Sequence, residues 1–319
     1  MEFCPGIYEH AAAVIGRSPW EVSRSRDLLV EAHHAAWELY QQRLIVTGID
    51  VYNVEPEALG AVVEKPSGNN VPAISLHPFD ELAELLDLPE AATETGRYAD
   101  VLHAAAELAA ACPAAEVRVP VCGPMAFANG LLGMENLLIG LMEDPGLAVD
   151  ALARLVKHQI GFLEAIHAAG VRPIFFESGA TPPLLPVALF EKFEAPLLAR
   201  LFDACEALFG ERPPCIIGGD AAPMAAPFLA TRPGYVIAPS ETDQRAFLKA
   251  TQAHPDVHVR VNLPATLLGS NDFAPIEAAA HAAVEIARTR ENTSLGCGVV
   301  PCETPPEIIL RLRELILSL

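Results

Sequence analysis

Short apolar runs alternate along this chain with longer stretches in which apolar residues recur every three or four positions. The short runs have the length and β-branched content of strands, and the longer stretches have the period of amphipathic helices. Most runs are apolar throughout, which is typical of parallel strands covered on both faces. The predicted strands are 44–52, 117–122, 171–177, 215–220, 235–239, 257–263 and 294–299. The predicted helices are 27–42, 98–111, 147–169, 186–209, 222–230, 242–254, 275–288 and 305–317.

The regular alternation of strand and helix predicts βαβ crossovers and a parallel sheet. An open doubly wound sheet usually carries a glycine-rich phosphate loop after its first strand, but here Gly48 is followed by Ile49-Asp50-Val51, and neither GxGxxG nor GxxxxGK[ST] occurs. We therefore favour an α/β, TIM-type (β/α)8-like barrel. Seven strands are visible where a closed barrel needs eight, so we expect the first strand to be irregular or missing. Residues 60–78 read as a strand pair or a long loop.

No Ser/Gly-rich linker and no repeat of fixed period divides the chain. We therefore expect a single barrel domain over residues 1–319. Within it, residues 1–43 form an N-terminal segment and helix, and residues 44–319 form the barrel.

The chain is strongly acidic, with 21 Lys and Arg against 41 Asp and Glu and a net charge of −20. This charge repels phosphate backbones and anionic lipid, which argues against a nucleic-acid or membrane partner. No apolar stretch reaches the length of a membrane span, and we see no signal peptide. The seven cysteines are odd in number and scattered, as expected for reduced thiols, so we predict a cytoplasmic protein.

In TIM-type barrels the active site lies at the carboxyl ends of the strands. Four polar residues at or just after predicted strand ends are therefore expected to line a substrate pocket: Asn53, Glu55, Asp220 and Asn262. For Asp220, an N-cap of the following helix is the structural alternative. His10 precedes any clear element, and we expect its segment to fold over the mouth of the barrel.

Glu177 and Cys297 are the predicted catalytic pair and the candidate metal ligands. Glu177 ends an apolar strand, where desolvation raises the pKa of a carboxyl group and suits acid/base or ligand chemistry; a helix cap or an ion pair is the alternative. Cys297 lies between Gly296 and Gly298, which we expect to expose its sulfur. The alternative is a small buried apolar side chain. We expect both residues to meet around one cavity.

Four segments together resemble the uroporphyrinogen decarboxylase superfamily. Residues 53–60, NVEPEALG, are similar to its P-x-A-L-G segment, and residues 217–223, IGGDAAP, resemble its xCG[ND]xxP turn. Residues 177–180, ESGA, resemble its acidic-x-G turn, and residues 295–301, LGCGVVP, are similar to its last strand. The resemblance runs from residue 44 onward and implies a TIM-type barrel.

The resemblance implies two chemistries. Decarboxylases of the superfamily carry an N-terminal R-Q-A-G-R segment, which is absent here. They also carry an Asp on the early strand, where this sequence aligns Val51, with Asp50 one residue away. Their last strand reads L-G-H-G, and Cys297 replaces that His. Decarboxylation of a uroporphyrinogen-type tetrapyrrole is therefore the alternative function.

The other branch resembles corrinoid-dependent methyltransferases, whose last strand has the G-C-G found at Cys297. In that branch this Cys binds zinc together with an H-x-C pair, which Ile216 and Gly218 replace here. The resemblance implies methyl transfer between a corrinoid, as a cofactor or on a corrinoid-protein partner, and a thiol or other small molecule. Zinc is a candidate metal although the H-x-C pair is absent. A non-catalytic corrinoid- or tetrapyrrole-binding protein is the non-enzyme alternative.

Overall fold

The computed structural model describes residues 1–237, 239–270 and 272–319. Their strands are β1 (Leu44–Val46), β2 (Val62–Glu64), β3 (Ala73–Leu76), β4 (Glu116–Cys122), β5 (Arg172–Glu177), β6 (Pro214–Ile217), β7 (Tyr235–Ile237), β8 (His258–Asn262) and β9 (Thr293–Gly296). Seven of them form one parallel sheet in the order β1-β4-β5-β6-β7-β8-β9. Strands β2 and β3 form a separate antiparallel pair. The parallel α/β architecture and the strand pair within residues 60–78 are thus confirmed.

Helices follow most strands and cover the outer face of the sheet. They are α1 (Glu9–Val14), α2 (Pro19–Ser23), α3 (Arg26–Tyr40), α4 (Val54–Ala58), α5 (Gly96–Ala111), α6 (Pro124–Leu132), α7 (Met134–Glu143), α8 (Pro145–Ala168), α9 (Val187–Leu189), α10 (Ala195–Phe209), α11 (Ala225–Ala230), α12 (Gln244–Ala250), α13 (Phe273–Ala287) and α14 (Pro306–Ser318). A π-helical turn, Phe190–Glu194, joins α9 to α10. Short 3₁₀ turns span Leu82–Asp87, Ala222–Met224, Thr251–Ala253 and Ala265–Leu267.

Strand β1 is shorter than the sequence pattern predicts. It ends at Val46, and the chain then passes through Gly48, whose φ is +156°. Residues 50–53 form a turn that leads directly into α4. As a result, the apolar residues after Val46 belong to a loop over the strand ends, and Asn53 and Glu55 lie at the start of a helix rather than after a strand.

The N-terminal segment, residues 2–6, lies parallel to β9 at the edge of the seven-stranded sheet. The amide of Cys4 donates to the carbonyl of Leu295 at 2.7 Å, and the amide of Gly6 donates to the carbonyl of Gly298 at 3.0 Å. A Cβ at Gly6 would overlap the carbonyl oxygen of Gly298, so only glycine allows this close approach. Through these two bridges the segment adds an irregular element beside β9, next to the curled seven-stranded sheet.

Side chains along each strand alternate between the inside of the sheet and its helix-covered outer face. On β5, Phe175 packs outward against Phe202 of α10, with ring centroids 5.4 Å apart, whereas Ile174 and Phe176 point inward. The inward side chains form a small apolar cluster with Tyr8 of the N-terminal segment. The larger core lies between the sheet and the helices.

Taken singly, none of the helices in the described ranges is long and apolar enough to cross a membrane. Only α6 and α7 reach that length and apolarity together, and they meet at an angle of 110°.

Candidate active site at the mouth of the barrel

A cavity of about 710 Å³ opens at the carboxyl ends of the parallel strands, and we call it the mouth cavity. Its walls come from the loop after β1, the inner ends of β5 and β6, the β2–β3 pair, helix α6, and Tyr8 and Glu9 of the N-terminal region. The volume lies within the range of small-molecule sites, which is roughly 300–1,000 Å³. Its position is where barrels of this type carry their chemistry.

Three aromatic rings form one wall of the mouth cavity. Phe176 contacts Tyr8 and Tyr52 edge to face, with centroid distances of 5.7 and 5.8 Å. Burial raises the pKa of both tyrosine hydroxyls, so they remain protonated at neutral pH and can donate a hydrogen bond. This wall is therefore largely apolar, and its polar groups are the hydroxyls of Tyr8 and Tyr52.

Asp50 was not selected from the sequence, although it lines the mouth cavity. Its carboxylate is buried and accepts hydrogen bonds from Arg97 at 2.5 Å and from Arg24 at 2.9 Å. Glu57 contacts the same two arginines, so two cations and two carboxylates form one network. The Asn53 amide, which does line the cavity as expected, donates to Asp50 at 3.1 Å. The network fixes the loop after β1.

Glu9 is the second lining residue that the sequence reasoning missed. It lies directly before His10, in the segment that was expected to fold over the mouth, and it is half-buried in the cavity wall. Desolvation raises the pKa of its carboxyl to about 7, and the charge of nearby Glu303 adds to the increase. Glu9 can therefore exchange a proton with a bound molecule near neutral pH.

Glu177 is fully buried and points outward, on the same side of β5 as Phe175. Its carboxylate accepts hydrogen bonds from the amides of Ala126, at 3.1 Å, and Gly179, at 2.7 Å. A Cβ at Gly123 would overlap this carboxylate, so glycine makes room for it. Glu177 therefore lies behind the cavity wall, at the first turn of α6, and does not line the mouth cavity.

Glu194 of the π-helical turn faces Glu177. It accepts a hydrogen bond from the amide of Met125 at 3.1 Å. Burial raises the pKa of both carboxyl groups, and the charge of Glu177 raises that of Glu194 further. The two carboxyl groups thus disfavour each other's charge, and the pKa of Glu194 is raised the more strongly of the two. The pair anchors the start of α6, where the helix dipole favours the negative charge.

Glu55 is also buried away from the cavity. It accepts hydrogen bonds from the amide of Cys122 and from the Gln159 side chain. Desolvation raises its pKa to about 7, an effect that these hydrogen bonds oppose. The expectation that Glu55 lines the pocket does not match its placement, because it belongs to the first turn of α4 and points toward β4 and α8.

Cys297 is fully buried, contrary to the expectation that its flanking glycines expose the sulfur. Burial raises its pKa to about 12, an increase that the positive charge of Arg260 opposes. Gly296 instead leaves room for two other side chains, since a Cβ there would overlap Asn262 and press on Arg260. Neither Cys297 nor Glu177 is among the lining residues, so the structure does not bring them together around the mouth cavity.

The remaining three predicted residues have different surroundings. His10 is buried, accepts a hydrogen bond from the Tyr40 hydroxyl at 2.7 Å, and does not reach the mouth cavity. Asp220 is exposed, accepts a hydrogen bond from Thr242 at 2.9 Å, and does not cap a helix. Asn262 lines a smaller cavity of about 210 Å³ that adjoins the mouth cavity.

Comparison with known proteins places this architecture in a family. The chain matches the family model described as uroporphyrinogen decarboxylase (URO-D) over residues 6–318. This chain belongs to the URO-D family. A sequence search finds no curated protein that matches this URO-D family member.

Solved structures agree on the fold of the URO-D family member. It is similar to a methyltransferase from Methanosarcina mazei, with a TM-score of 0.84 and 19% identity over 98% of this chain and 93% of that chain. It is also similar to a putative vitamin-B12 independent methionine synthase from Listeria monocytogenes, with a TM-score of 0.55 and 14% identity over 99% and 97% of the two chains. At these identities the likeness establishes the barrel-like fold and not the reaction.

Zinc does not fit the side chains that this family member offers. Within residues 1–237, 239–270 and 272–319, no three His, Cys, Asp or Glu side chains are grouped as metal ligands. Ile216, at one of the positions where the resemblance calls for a ligand, contributes an apolar side chain to the cavity wall. The described side chains therefore offer no zinc site at the mouth cavity.

Proposed function

We propose that this URO-D family protein is a methyltransferase-like enzyme that moves a methyl group between a small molecule in the mouth cavity and a corrinoid. The observation that carries the proposal is the position of Glu9, a proton-exchanging carboxyl in the wall of a largely apolar cavity at the strand ends. The fold likeness to a Methanosarcina mazei methyltransferase supports the same class of reaction.

A corrinoid supplies a cobalt that takes up or releases a methyl cation equivalent. The cavity has the size of a small-molecule site, so we expect the substrate to lie inside it and the larger corrinoid to approach from the open side. Val71 and Val299 line the cavity and are 38% and 42% exposed. These two valines offer an apolar rim against which a macrocycle can rest.

The chain itself contributes proton transfer and positioning. When the methyl group leaves a nitrogen, oxygen or sulfur atom of the substrate, the electron pair of the broken bond stays on that atom. Glu9 in its acid form donates the proton that this atom takes up, and water restores the proton to Glu9 afterwards. Tyr8 and Tyr52 donate hydrogen bonds from the aromatic wall and orient the substrate.

Decarboxylation of a porphyrinogen fits the charges less well. A polyanionic tetrapyrrole needs several free arginines at the mouth, and Arg24 and Arg97 are already bound to Asp50 and Glu57. Glu9 and the net charge of −20 add repulsion.

The test follows the visible spectrum of free cobalamin, used in place of a corrinoid protein. Reduced cobalamin is mixed anaerobically with the enzyme and a panel of methylated amines, ethers and thioethers. We expect enzyme-dependent formation of methylcobalamin with one class of compound. Glu9→Gln should slow this rate at least tenfold at neutral pH, because the amide cannot donate the proton in the same way.

Glu303→Gln is the matched control. It removes an exposed negative charge that raises the pKa of Glu9, so the activity should persist while its pH profile moves to lower pH. Release of CO2 from uroporphyrinogen, without methylation of cobalamin by any compound, would overturn the proposal in favour of decarboxylation. Binding of cobalamin without any product would instead point to a carrier.

A further inference from the structure

The smaller cavity beside the mouth cavity contains a buried arginine that the proposed reaction does not use. The two cavities share Tyr8, Ile216 and Val299 in their walls, so they adjoin each other at the strand ends. Arg260 of β8 lines the smaller one and is only 3% exposed.

The local structure aims this arginine inward. On β8, Val259 and Val261 face the outer core. Arg260 and Asn262 alternate with these valines along the strand, so they face the inside of the barrel. Gly296 on the neighbouring strand makes room for the Arg260 side chain, because a Cβ there would press on its Cδ and Nε atoms. Both strands are therefore built to admit a long cation at this point.

Arg260 has no counter-charge in the part of the chain that the structure describes. No carboxylate there lies within 4.0 Å of its guanidinium, and its buried Nε has no hydrogen-bond partner. The polar groups around it are Tyr8, Tyr235, Cys4 and Cys297. Burial raises the pKa of all four, so they are uncharged at neutral pH.

A buried and unpaired guanidinium is costly, since arginine stays charged in proteins and loses its hydration on burial. An anionic ligand beside the guanidinium would complete the charge balance. The planar fork of the guanidinium matches the oxygens of a carboxylate, sulfonate or phosphate. Glu241, the acidic residue in the wall of this cavity, is exposed at its solvent side, where water screens its charge.

We propose that Arg260 binds an oxyanion group of the substrate, which is therefore a small molecule with a carboxylate, sulfonate or phosphate at one end. The anionic end lies in the smaller cavity and the methyl-bearing end lies in the mouth cavity near Glu9. The assignment of the methyl-bearing end rests on the proposed function, whereas the anion subsite does not. Tyr8 stands between the two cavities and contacts both ends.

The experiment measures anion binding without any methyl donor or corrinoid, so failure of the methyl-transfer proposal leaves its result intact. The intact protein is titrated calorimetrically with acetate, methanesulfonate and inorganic phosphate, which separates planar from tetrahedral oxyanions. We expect one site per chain for at least one of them, weakened at least tenfold in Arg260→Gln. The control Arg245→Gln removes the same charge from an exposed position and should bind as the wild type does.

A second variant guards against loss of folding. Arg260→Met keeps a long side chain at this position but removes its charge. In the absence of ligand, this variant should unfold at the same temperature as the wild type or at a higher one. The anion should raise the unfolding temperature of the wild type and leave that of Arg260→Met unchanged. Absence of binding to all three anions, or equal binding by the wild type and Arg260→Gln, would overturn the proposal. Strong destabilisation by Arg260→Met, with anion binding unchanged, would assign the arginine a structural role.

Discussion

Replacing Asp50 with asparagine tests whether the charge network beside the mouth cavity holds the loop after β1. The Asp50 side chain is fully buried, and its two oxygens accept separate hydrogen bonds from Arg97 and Arg24, at 2.5 and 2.9 Å. A hydrogen bond to a charged group contributes about 1.5–3 kcal/mol. Asparagine keeps one acceptor and turns an NH2 group toward a guanidinium. Removing one partner of a buried ion pair typically costs about 3–5 kcal/mol.

Glu57 still contacts both arginines in this variant, so we expect the lower end of that range, about 3 kcal/mol. The free energy of unfolding is measured by urea titration, followed in parallel by fluorescence and circular dichroism to check that the two transitions coincide. Glu57→Gln is the control, because its carboxylate is 21% exposed and its loss should cost less. A loss below about 1 kcal/mol for Asp50→Asn, or an equal loss for Glu57→Gln, would refute the reasoning.

Three further substitutions give distinct outcomes. Gly6→Ala should lower the unfolding free energy by about 1–3 kcal/mol in a thermal melt, because its Cβ overlaps the Gly298 carbonyl; an unchanged melting temperature would contradict the close approach. Burial raises the pKa of Glu55 to about 7 in the folded state, so the folded protein binds this proton more tightly than the unfolded chain does. The resulting contribution to the free energy of unfolding is complete below about pH 4 and is lost as the pH rises through 7. Glu55→Gln should therefore gain stability relative to the wild type, on the order of 3 kcal/mol, between those pH values in urea titrations, and parallel curves would exclude the shift. Cys297→Ala should retain turnover, since the thiol lies outside the cavity wall; complete loss of activity in a folded variant would restore the catalytic role predicted from the sequence.

The strand positions could be predicted because buried parallel strands are short, apolar and separated by helical periods. The length of β1 could not be predicted, since residues 49 and 51 are apolar for another reason: they cover the strand ends from a loop, and the apolar residue 54 already belongs to α4. The N-terminal segment carries no alternating pattern, and Pro5 and Gly6 argue against a strand. Its pairing with β9 is made by backbone hydrogen bonds, which almost any residue can form, so the side-chain pattern does not predict which strand it joins.

Predicting the site required knowing which face of each strand is inside. The sequence correctly predicts that β5 reaches the cavity and that burial raises the pKa of the Glu177 carboxyl. Successive side chains of a strand, however, point to opposite faces. Phe176 therefore lines the cavity and Glu177 does not. Asp50 is one residue away from the position where the family carries its Asp, and in a strand that offset would turn the side chain to the opposite face. Strand alternation does not apply to Asp50, however, because this residue lies in a loop. Residues 257–263, VHVRVNL, alternate between apolar and polar side chains, so the pattern places Arg260 opposite the valines, but it does not reveal which charged groups lie near Arg260 in space.

The pairing of residues 2–6 with β9 joins two stretches separated by nearly the whole described chain. Closing so long a loop costs conformational entropy, which the backbone hydrogen bonds and the packing of residues 2–6 must offset. Tyr8 and Glu9 follow this paired segment almost directly, so the pairing with β9 holds their part of the cavity wall in place. The wall that carries Glu9 therefore depends on a backbone pairing made at the far end of the chain, and a variant that loosens this pairing should weaken ligand binding as well as stability.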